Sequence, residues 1–359
     1  MTWYNISWNY RKAITISNSG SSLTDYQVLI TIDSASLITS IKMRSDCGDM
    51  RFTSSDGSTL LDYWTESDCN TNSTKIWVKT SSLSTGTNTI YMYYGNSSAT
   101  SLSNFAATFP ATPVNNGFET GTFSGWTVTG PGLSVVSGGI GNYQARMTAG
   151  GGSNCSNHTL SQNITLPSGT HLLKIYLGPE DKNGYPYWTG FNKNIWIGST
   201  NLGTISTPNP SGYQTFTITD TGTKTLSITF VYTSYCVSDA GFRLYFDDIT
   251  IRKYTSPEPT FSSIGTEELL SPANITATNM TITSDTPCIS GSCIVTVDVI
   301  WTNNGGISGT FVPNITIDTI PISPDPYQSQ ELASTASVTK TFIISGLTTG
   351  THYICPYPN

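Results

Sequence analysis

The sequence predicts an all-β protein built from three tandem β-sandwich or jelly-roll domains. Nearly every ordered segment alternates apolar and polar residues with a period of two, and these segments are rich in Thr, Ile, Val and Tyr. Clusters of Gly, Pro, Asn and Ser separate the segments at short intervals, as in sandwiches and jelly rolls. No window has the 3.6-residue apolar repeat of an amphipathic helix.

Two breaks in composition divide the chain. They cover residues 105–114 and 255–268, and both are rich in Pro and Thr. We therefore expect a first β-sandwich domain at residues 1–104, a jelly roll at 105–254, a connecting segment at 255–271 and a third domain at 272–359. The clearest period-two segments, in chain order, are residues 12–17, 26–32, 74–79, 89–94, 215–219, 225–232 and 294–301.

The composition indicates a folded, polar protein that binds no nucleic acid. Only 11% of the 359 residues are charged and the net charge is −7, whereas 104 residues are Ser or Thr. A typical soluble domain carries about 25% charged residues. Because no basic stripe is present to hold phosphates, nucleic-acid binding is not expected. No apolar run approaches the ~18 residues of a membrane-spanning helix.

The seven cysteines indicate disulfides and an oxidising compartment. None of them forms a Cys-x-x-Cys metal motif, and the three histidines lack zinc-ligand spacing. Disulfides are then the simpler interpretation, and buried free thiols are the alternative. Cys355 is the odd cysteine, and it either replaces Cys293 as a disulfide partner or links to another chain. The expected pairs are Cys47 with Cys69, Cys155 with Cys236, and Cys288 with Cys293.

The expected location is extracellular or on the cell surface. The first eight residues contain no hydrophobic signal core. Either a signal was removed before residue 1, or the chain is a virion protein or a cut-down fragment. Nine Asn-x-Ser/Thr motifs occur, close to the number that the composition gives by chance. The glycosylation candidates are Asn72, Asn96, Asn157, Asn163, Asn279 and Asn314.

The first part of the chain carries a characteristic set of motifs. They include Lys42-Met-Arg-Ser-Asp-Cys-Gly-Asp-Met and Leu60-Leu-Asp-Tyr-Trp, with a later tail, Ile251-Arg-Lys-Tyr, followed by Gly265-Thr-Glu-Glu. Together they resemble the domain of unknown function family 2341, found in exported archaeal and bacterial surface proteins. The resemblance implies that residues 1–268 form one module. It also implies that the connecting segment is a linker or a strand that returns to the first domain.

The second part opens with Asn115-Asn-Gly-Phe-Glu-Thr-Gly and closes with Leu244-Tyr-Phe-Asp-Asp-Ile. This pair of motifs resembles the CenC-like jelly rolls of carbohydrate-binding modules. The resemblance implies a structural Ca²⁺ ion held by Glu119 with Asp247 or Asp248, and hard oxygen ligands suit calcium. The alternative is that these carboxylates are solvated at the ends of strands.

The third part contains Trp301-Thr-Asn-Asn-Gly-Gly, where a strand meets a turn, and a later apolar strand at residues 338–344. This pattern resembles the CARDB domain, a module of cell-surface and adhesion proteins. The resemblance implies an immunoglobulin-like fold for the third domain.

The aromatic loop at residues 184–191 is the strongest binding candidate in the sequence. Tyr185, Tyr187 and Trp188 could stack on sugar rings or anchor a protein interface, where Tyr and Trp are enriched. They could equally cover the core beneath a long loop.

Four other aromatic residues are expected to belong to the cores of the sandwiches. These are Trp64, Trp77, Phe118 and Trp126.

Two functions from different classes fit these observations. The first is an extracellular structural or adhesive protein that self-associates into a filament, a surface layer or an adhesin, with a virion fibre or decoration protein as a variant. The second is an array of carbohydrate-binding modules in a secreted polysaccharide-active protein, with glycans as partners. Enzymatic activity is not expected, because the sequence lacks a Gly-x-Ser-x-Gly elbow, a His-Glu-x-x-His motif and a phosphate loop. Apart from the Ca²⁺ ion, no cofactor is expected.

Overall fold

The computed structural model confirms an all-β chain of sandwich and jelly-roll sheets. It contains many antiparallel sheets and only two short helices among the residues that it describes. None of the helices in that part of the chain is long and apolar enough to cross a membrane. The described residues are 3–66, 68–149, 157–179, 191–205, 211–232, 242–270, 274–284, 293–306, 308–318, 320–322, 330–347 and 353–358.

The first domain is a sandwich of two antiparallel sheets with a shared apolar core. Alternation directs Ile14 and Ile16 inward from one sheet and Ile76 and Val78 inward from the other. The sheet orders are β18-β1-β7-β3-β4 and β2-β6-β5. The elements are β1 (Tyr10–Asn18), β2 (Leu23–Ile32), α1 (Ser34–Thr39), β3 (Arg51–Thr53), β4 (Leu60–Leu61), β5 (Tyr63–Thr65), β6 (Thr74–Leu83), β7 (Gly86–Tyr94), α2 (Phe105–Thr108) and, from much later in the chain, β18 (Thr260–Leu269).

Strand β18 returns to the first domain as the edge strand of its larger sheet. It pairs antiparallel with β1 after the whole jelly roll has been traversed. Ion pairs at its end reinforce this register, because Arg11 binds Glu268 at 2.7 Å and Lys42 binds Glu267. Of the two alternatives for the connecting segment, the returning strand is therefore the one that the structure contains.

One expected disulfide is confirmed within the first domain. Cys47 and Cys69 are bonded across 22 residues, and they tie the loop before β3 to the loop before β6. Cys355 is exposed and carries a free thiol. The two other expected pairs lie outside the described residues, because Cys155, Cys236 and Cys288 are not described and neither is the Cys293 side chain.

The jelly roll consists of two five-stranded antiparallel sheets that enclose a second core. Phe118 is fully buried and Trp126 is 8% exposed in this core, which confirms the prediction for both residues. The sheet orders are β15-β12-β17-β10-β9 and β14-β13-β16-β11-β8. The strands are β8 (Thr127–Thr129), β9 (Leu133–Ser137), β10 (Tyr143–Ala149), β11 (His158–Leu166), β12 (His171–Leu177), β13 (Phe191–Ile197), β14 (Thr200–Ile205), β15 (Gly212–Ile218), β16 (Gly222–Tyr232) and β17 (Phe242–Lys253).

The third part of the chain has its own core around the fully buried Trp301. Two three-stranded sheets, β19-β20-β25 and β23-β22-β26, and the pair β21-β24 form it. The immunoglobulin-like CARDB assignment stays a prediction. The strands are β19 (Ile275–Ser284), β20 (Cys293–Asn303), β21 (Gly309–Phe311), β22 (Pro313–Ile317), β23 (Ile320–Ile322), β24 (Gln330–Leu332), β25 (Ser337–Leu347) and β26 (Ile354–Pro358).

Polar contacts, most of them half-buried, join the end of β17 to the first domain. The Arg252 guanidinium binds both carboxylate oxygens of Glu258, at 2.5 and 2.9 Å, and the Tyr26 hydroxyl donates to Glu258 at 2.9 Å. Burial acts to raise the pKa of Glu258, but the bonds and charge of Arg252 outweigh it and lower the pKa. The Lys253 N–H donates to the side-chain oxygen of Gln27, whose amide donates to the Thr108 carbonyl. These bonds fix the jelly roll against the first domain.

Candidate functional site

Two tryptophans lie side by side on the outer face of the smaller sheet of the first domain. Trp64 on β5 is paired directly with Trp77 on β6. Their neighbours Tyr63, Ile76 and Val78 point into the core, so alternation turns both indoles outward. Both tryptophans are half-buried and neither belongs to the core. The expectation that Trp64 and Trp77 are core residues was wrong, because each occupies the opposite phase of its strand.

Two phenylalanines around helix α2 hold these indoles in place. Phe105 lies 5.0 Å from Trp64 between ring centroids, and Phe109 lies 6.0 Å from Trp64 and 5.6 Å from Trp77, all in edge-to-face arrangements. Such geometry is preferred by aromatic quadrupoles. The helix is fixed by Asn104, whose side chain caps the Ala107 N–H. The result is a rigid aromatic wall.

The jelly roll presents a polar surface opposite this wall. Strand β12 contributes Leu172 and Lys174, which pair in register with Arg252 and Thr250 of β17. At the Arg252 end, the guanidinium lies over the Trp77 ring at 5.3 Å. The first domain and the jelly roll therefore meet where Arg252 of β17 contacts Trp77 of β6.

At the other end of this jelly-roll surface, Tyr213, Lys174 and Asp248 contact one another. The Tyr213 hydroxyl donates a 2.6 Å hydrogen bond to Asp248, and the Lys174 ammonium lies 3.8 Å from the centre of the Tyr213 ring. Lys174 is also 3.9 Å from the Asp248 carboxylate. Burial raises the pKa of Tyr213, and the bond to the Asp248 carboxylate raises it further. Tyr213 therefore stays a neutral donor.

These two surfaces enclose a small cavity, which we call the groove. Its volume is about 140 Å³. A cavity of about 150 Å³ accommodates a ring the size of benzene. The first domain supplies three aromatic rings and the Glu66 carboxylate, and the jelly roll supplies Leu172, Thr250 and charged groups of both signs. The lining residues are Trp64, Glu66, Trp77, Phe109, Leu172, Lys174, Asp248, Thr250 and Arg252.

The carboxylates expected to bind calcium divide into a pair and a single residue. Glu119 accepts the N–H groups of Asn142 and Tyr143, while the fully buried Asp247 accepts the N–H of Ile140 at 2.7 Å. Both carboxylates thus face the loop at residues 138–142. Asp248 points away from this loop and lines the groove, where it accepts the hydrogen bond of the Tyr213 hydroxyl.

Asp247 is the buried charge of this pair. Burial raises its pKa to about 7, and the negative charges of Asp248 and Glu119 act in the same direction. A cation beside Glu119 and Asp247 would relieve both effects, so the two residues fit a calcium ion. No group of three His, Cys, Asp or Glu side chains within the described ranges could hold a metal. Calcium also accepts oxygen ligands of other kinds, such as backbone carbonyls, side-chain amides and water.

The remaining candidates from the sequence have different outcomes. Tyr185, Tyr187 and Trp188 lie outside the described residues. Asn314 is only 2% exposed and its side-chain amide donates to the Val312 carbonyl, so it is not an accessible glycosylation site. That expectation is corrected. The other glycosylation candidates stay predictions, and they are the exposed Asn72, Asn157, Asn163 and Asn279 and the half-buried Asn96.

The groove was not predicted from the sequence, which indicated core positions for Trp64 and Trp77 and a calcium site for Asp248, although one signal was available. Trp77 alternates with the buried Ile76 and Val78 in β6, so a strict period-two assignment would have placed its side chain outside the core. The contributions of Lys174 and Tyr213 depend on the packing of two domains and had no local signal.

Comparison with known families supports the resemblance that the motifs in the first part of the chain indicated. Residues 46–129 match the family described as Domain of unknown function (DUF2341). This confirms the resemblance in the first part of the chain. The matched segment also runs past residue 104, through helix α2 and the opening of the jelly roll. No curated protein matches the sequence.

Several solved structures of carbohydrate-binding modules are similar to parts of this chain. TmCBM61, solved with β-1,4-galactotriose, is 19% identical, with 39% of this chain and 97% of that chain covered and a TM-score of 0.30. A CBM4 structure is 18% identical, with coverages of 40% and 99% and a TM-score of 0.25. The CBM22-1–CBM22-2 tandem of Paenibacillus barcinonensis Xyn10C is 11% identical, with coverages of 70% and 80% and a TM-score of 0.29.

Proposed function

We propose that this chain is an extracellular, non-catalytic carbohydrate-binding protein and that the groove holds a sugar ring. The observation that carries the proposal is the opposition of Trp64 and Trp77 to the polar surface of Lys174, Asp248 and Thr250. An indole face suits the C–H face of a pyranose, while carboxylate, ammonium and hydroxyl groups suit its hydroxyls. Ligand sites commonly combine an apolar lining with a few fixed polar groups and lie between domains.

The charges of the groove favour a neutral sugar. Lys174 is near Asp248, and Arg252 is held by Glu258. Because both signs occur within one small cavity, an ionic ligand would meet an unfavourable charge on one side. A neutral glycan can instead exchange hydrogen bonds with each of these groups.

The groove supports the carbohydrate-binding alternative better than the filament or adhesin function. A filament or surface layer requires large packed interfaces or donated strands. Self-association stays a prediction from the sequence. The extracellular location is part of the proposal, and the Cys47–Cys69 disulfide is consistent with it.

The direct test is binding to an array of neutral oligosaccharides. The array should contain β-1,4-linked galacto-, gluco-, xylo- and manno-oligosaccharides, including β-1,4-galactotriose. We expect at least one series to bind wild-type protein and the Trp64→Ala variant to lose that binding. Retention of the full signal by Trp64→Ala, or no binding to any series, would contradict the proposal.

We also propose that Glu119 and Asp247 hold a structural Ca²⁺ ion. Support comes from the buried Asp247 carboxylate, from the nearby Glu119 and from the loop that both carboxylates bind. When bound, the ion would supply positive charge between two strand ends that are far apart in the sequence. Glu119 and Asp247 would position the loop at residues 138–142, away from the groove.

A further inference from the structure

Beyond the groove, the outer face of the sheet β15-β12-β17-β10-β9 carries a strip of two tyrosines and one arginine. The strip consists of Tyr176, Tyr245 and Arg146, which are all half-buried. Tyr245 of β17 pairs directly with Arg146 of β10, and Tyr176 packs against Tyr213 at 5.4 Å between ring centroids. Tyr245 precedes Thr250 by five positions on β17, but a bulge there sets the two residues only four β12 residues apart, which corresponds to ~13 Å of strand. The strip is therefore long enough to hold further sugar units.

The groove is closed at its other end by the first domain. Arg252 is clamped between Glu258 and the Trp77 ring. One residue further along β17, the Lys253 N–H donates to Gln27, and the Lys253 ammonium donates to the Thr24 carbonyl. Within the part of the chain that the structure describes, these contacts cover the sheet face beyond Arg252. A polymer that lies on the strip would have to stop in the groove.

We propose that the protein binds the end of a neutral glycan chain, with the terminal sugar ring in the groove and the following units on the strip. This inference rests on the proposed carbohydrate-binding function. It assigns a role to the first domain, which closes the jelly-roll face and supplies the aromatic wall for the terminal ring. A jelly roll with an uncovered sheet face could bind the interior of a chain, whereas this arrangement selects termini.

Binding stoichiometry as a function of chain length tests the inference. Each of the four β-1,4-linked series is titrated into the full chain by calorimetry, from trisaccharides to polymers of defined length. End binding predicts one protein molecule per glycan chain at every length. A number of bound molecules that rises with length would overturn the inference while leaving the proposed function intact. If no series binds, the proposed function itself fails.

Two substitutions separate the groove from the strip. Trp77→Ala should weaken binding of short and long oligosaccharides by at least tenfold, because every ligand places its last ring in the groove. Tyr245→Ala should weaken binding of pentasaccharides severalfold and leave disaccharide binding unchanged. Equal effects of Tyr245→Ala on both lengths, or a polymer affinity unaffected by Trp77→Ala, would contradict end recognition. Trp196→Ala, on the opposite sheet of the jelly roll, is the matched control.

Discussion

The Tyr213 hydroxyl on β15 donates a 2.6 Å hydrogen bond to Asp248 on β17, across the intervening strand β12. This bond orders the polar side of the groove. Asp248 has a positive φ of 41°, a conformation that Asn and Asp tolerate better than most residues. The Asp248→Asn variant should therefore keep the fold. It loses the charge that orders Tyr213 and Lys174, so we expect several-fold weaker oligosaccharide binding with an unchanged melting temperature.

A melting temperature that drops strongly in Asp248→Asn would show that the residue is structural rather than part of a binding site. Tyr213→Phe is the companion variant, because it removes only the hydroxyl and leaves the ring beneath Lys174. We expect it to weaken binding by a smaller factor than Asp248→Asn. Calorimetry and thermal unfolding of the same samples distinguish these results.

The calcium proposal predicts a metal-dependent stability. Adding millimolar Ca²⁺ to chelator-treated protein should raise the melting temperature of the jelly roll by several degrees, because a ligand that binds only the folded state stabilises it. Asp247→Asn should abolish this gain. An Asp220→Asn variant makes the same charge change between β15 and β16, where the half-buried Asp220 pairs with Lys224, and should respond to Ca²⁺ like the wild type. Identical unfolding with chelator and with Ca²⁺ would exclude the site.

The buried His171 predicts loss of stability in acid. Burial lowers its pKa, and the nearby positive charge of Lys253 lowers it further. Unfolded histidine titrates near 6.5, so the unfolded state binds more protons below that pH and stability falls as the pH drops from about 6.5. His171→Leu should reduce this acid sensitivity. Melting temperatures of the wild type and of His171→Leu between pH 4 and 8 check this expectation. An equal fall of the melting temperature in acid for both proteins would refute it.

The disulfide predicts a local stability effect in the first domain. Closing the 22-residue separation between Cys47 and Cys69 is worth about 3 kcal/mol in the chain-entropy model. Cys69→Ala should therefore lower the unfolding temperature of the first domain. Cys355→Ser, which removes a free exposed thiol, is the control and should have no effect. Denaturant unfolding monitored by tryptophan fluorescence measures both, and equal stability of the two variants would contradict the prediction.

The sequence predicted the fold better than the site, for physical reasons. Period-two alternation and turn residues are local, so strands such as β6 and β16 were recognisable, and Phe118 and Trp126 were assigned to the core. The first disulfide followed from spacing. The groove depends instead on where β17 meets β2 and on the contact of Arg252 with Trp77, which arise from the packing of two domains. Half-buried tryptophans beside apolar residues look like core residues until the phase of the strand is assigned.

The most direct test of the account is a calorimetric titration of wild type, Trp77→Ala and Trp196→Ala with the oligosaccharide series that binds best. Both variants remove a half-buried indole, but only Trp77 lines the groove, while Trp196 bonds to Thr229 on the far sheet. The account predicts at least tenfold weaker binding for Trp77→Ala, or about 1.4 kcal/mol, and no change for Trp196→Ala. Equal affinities for all three proteins would contradict it.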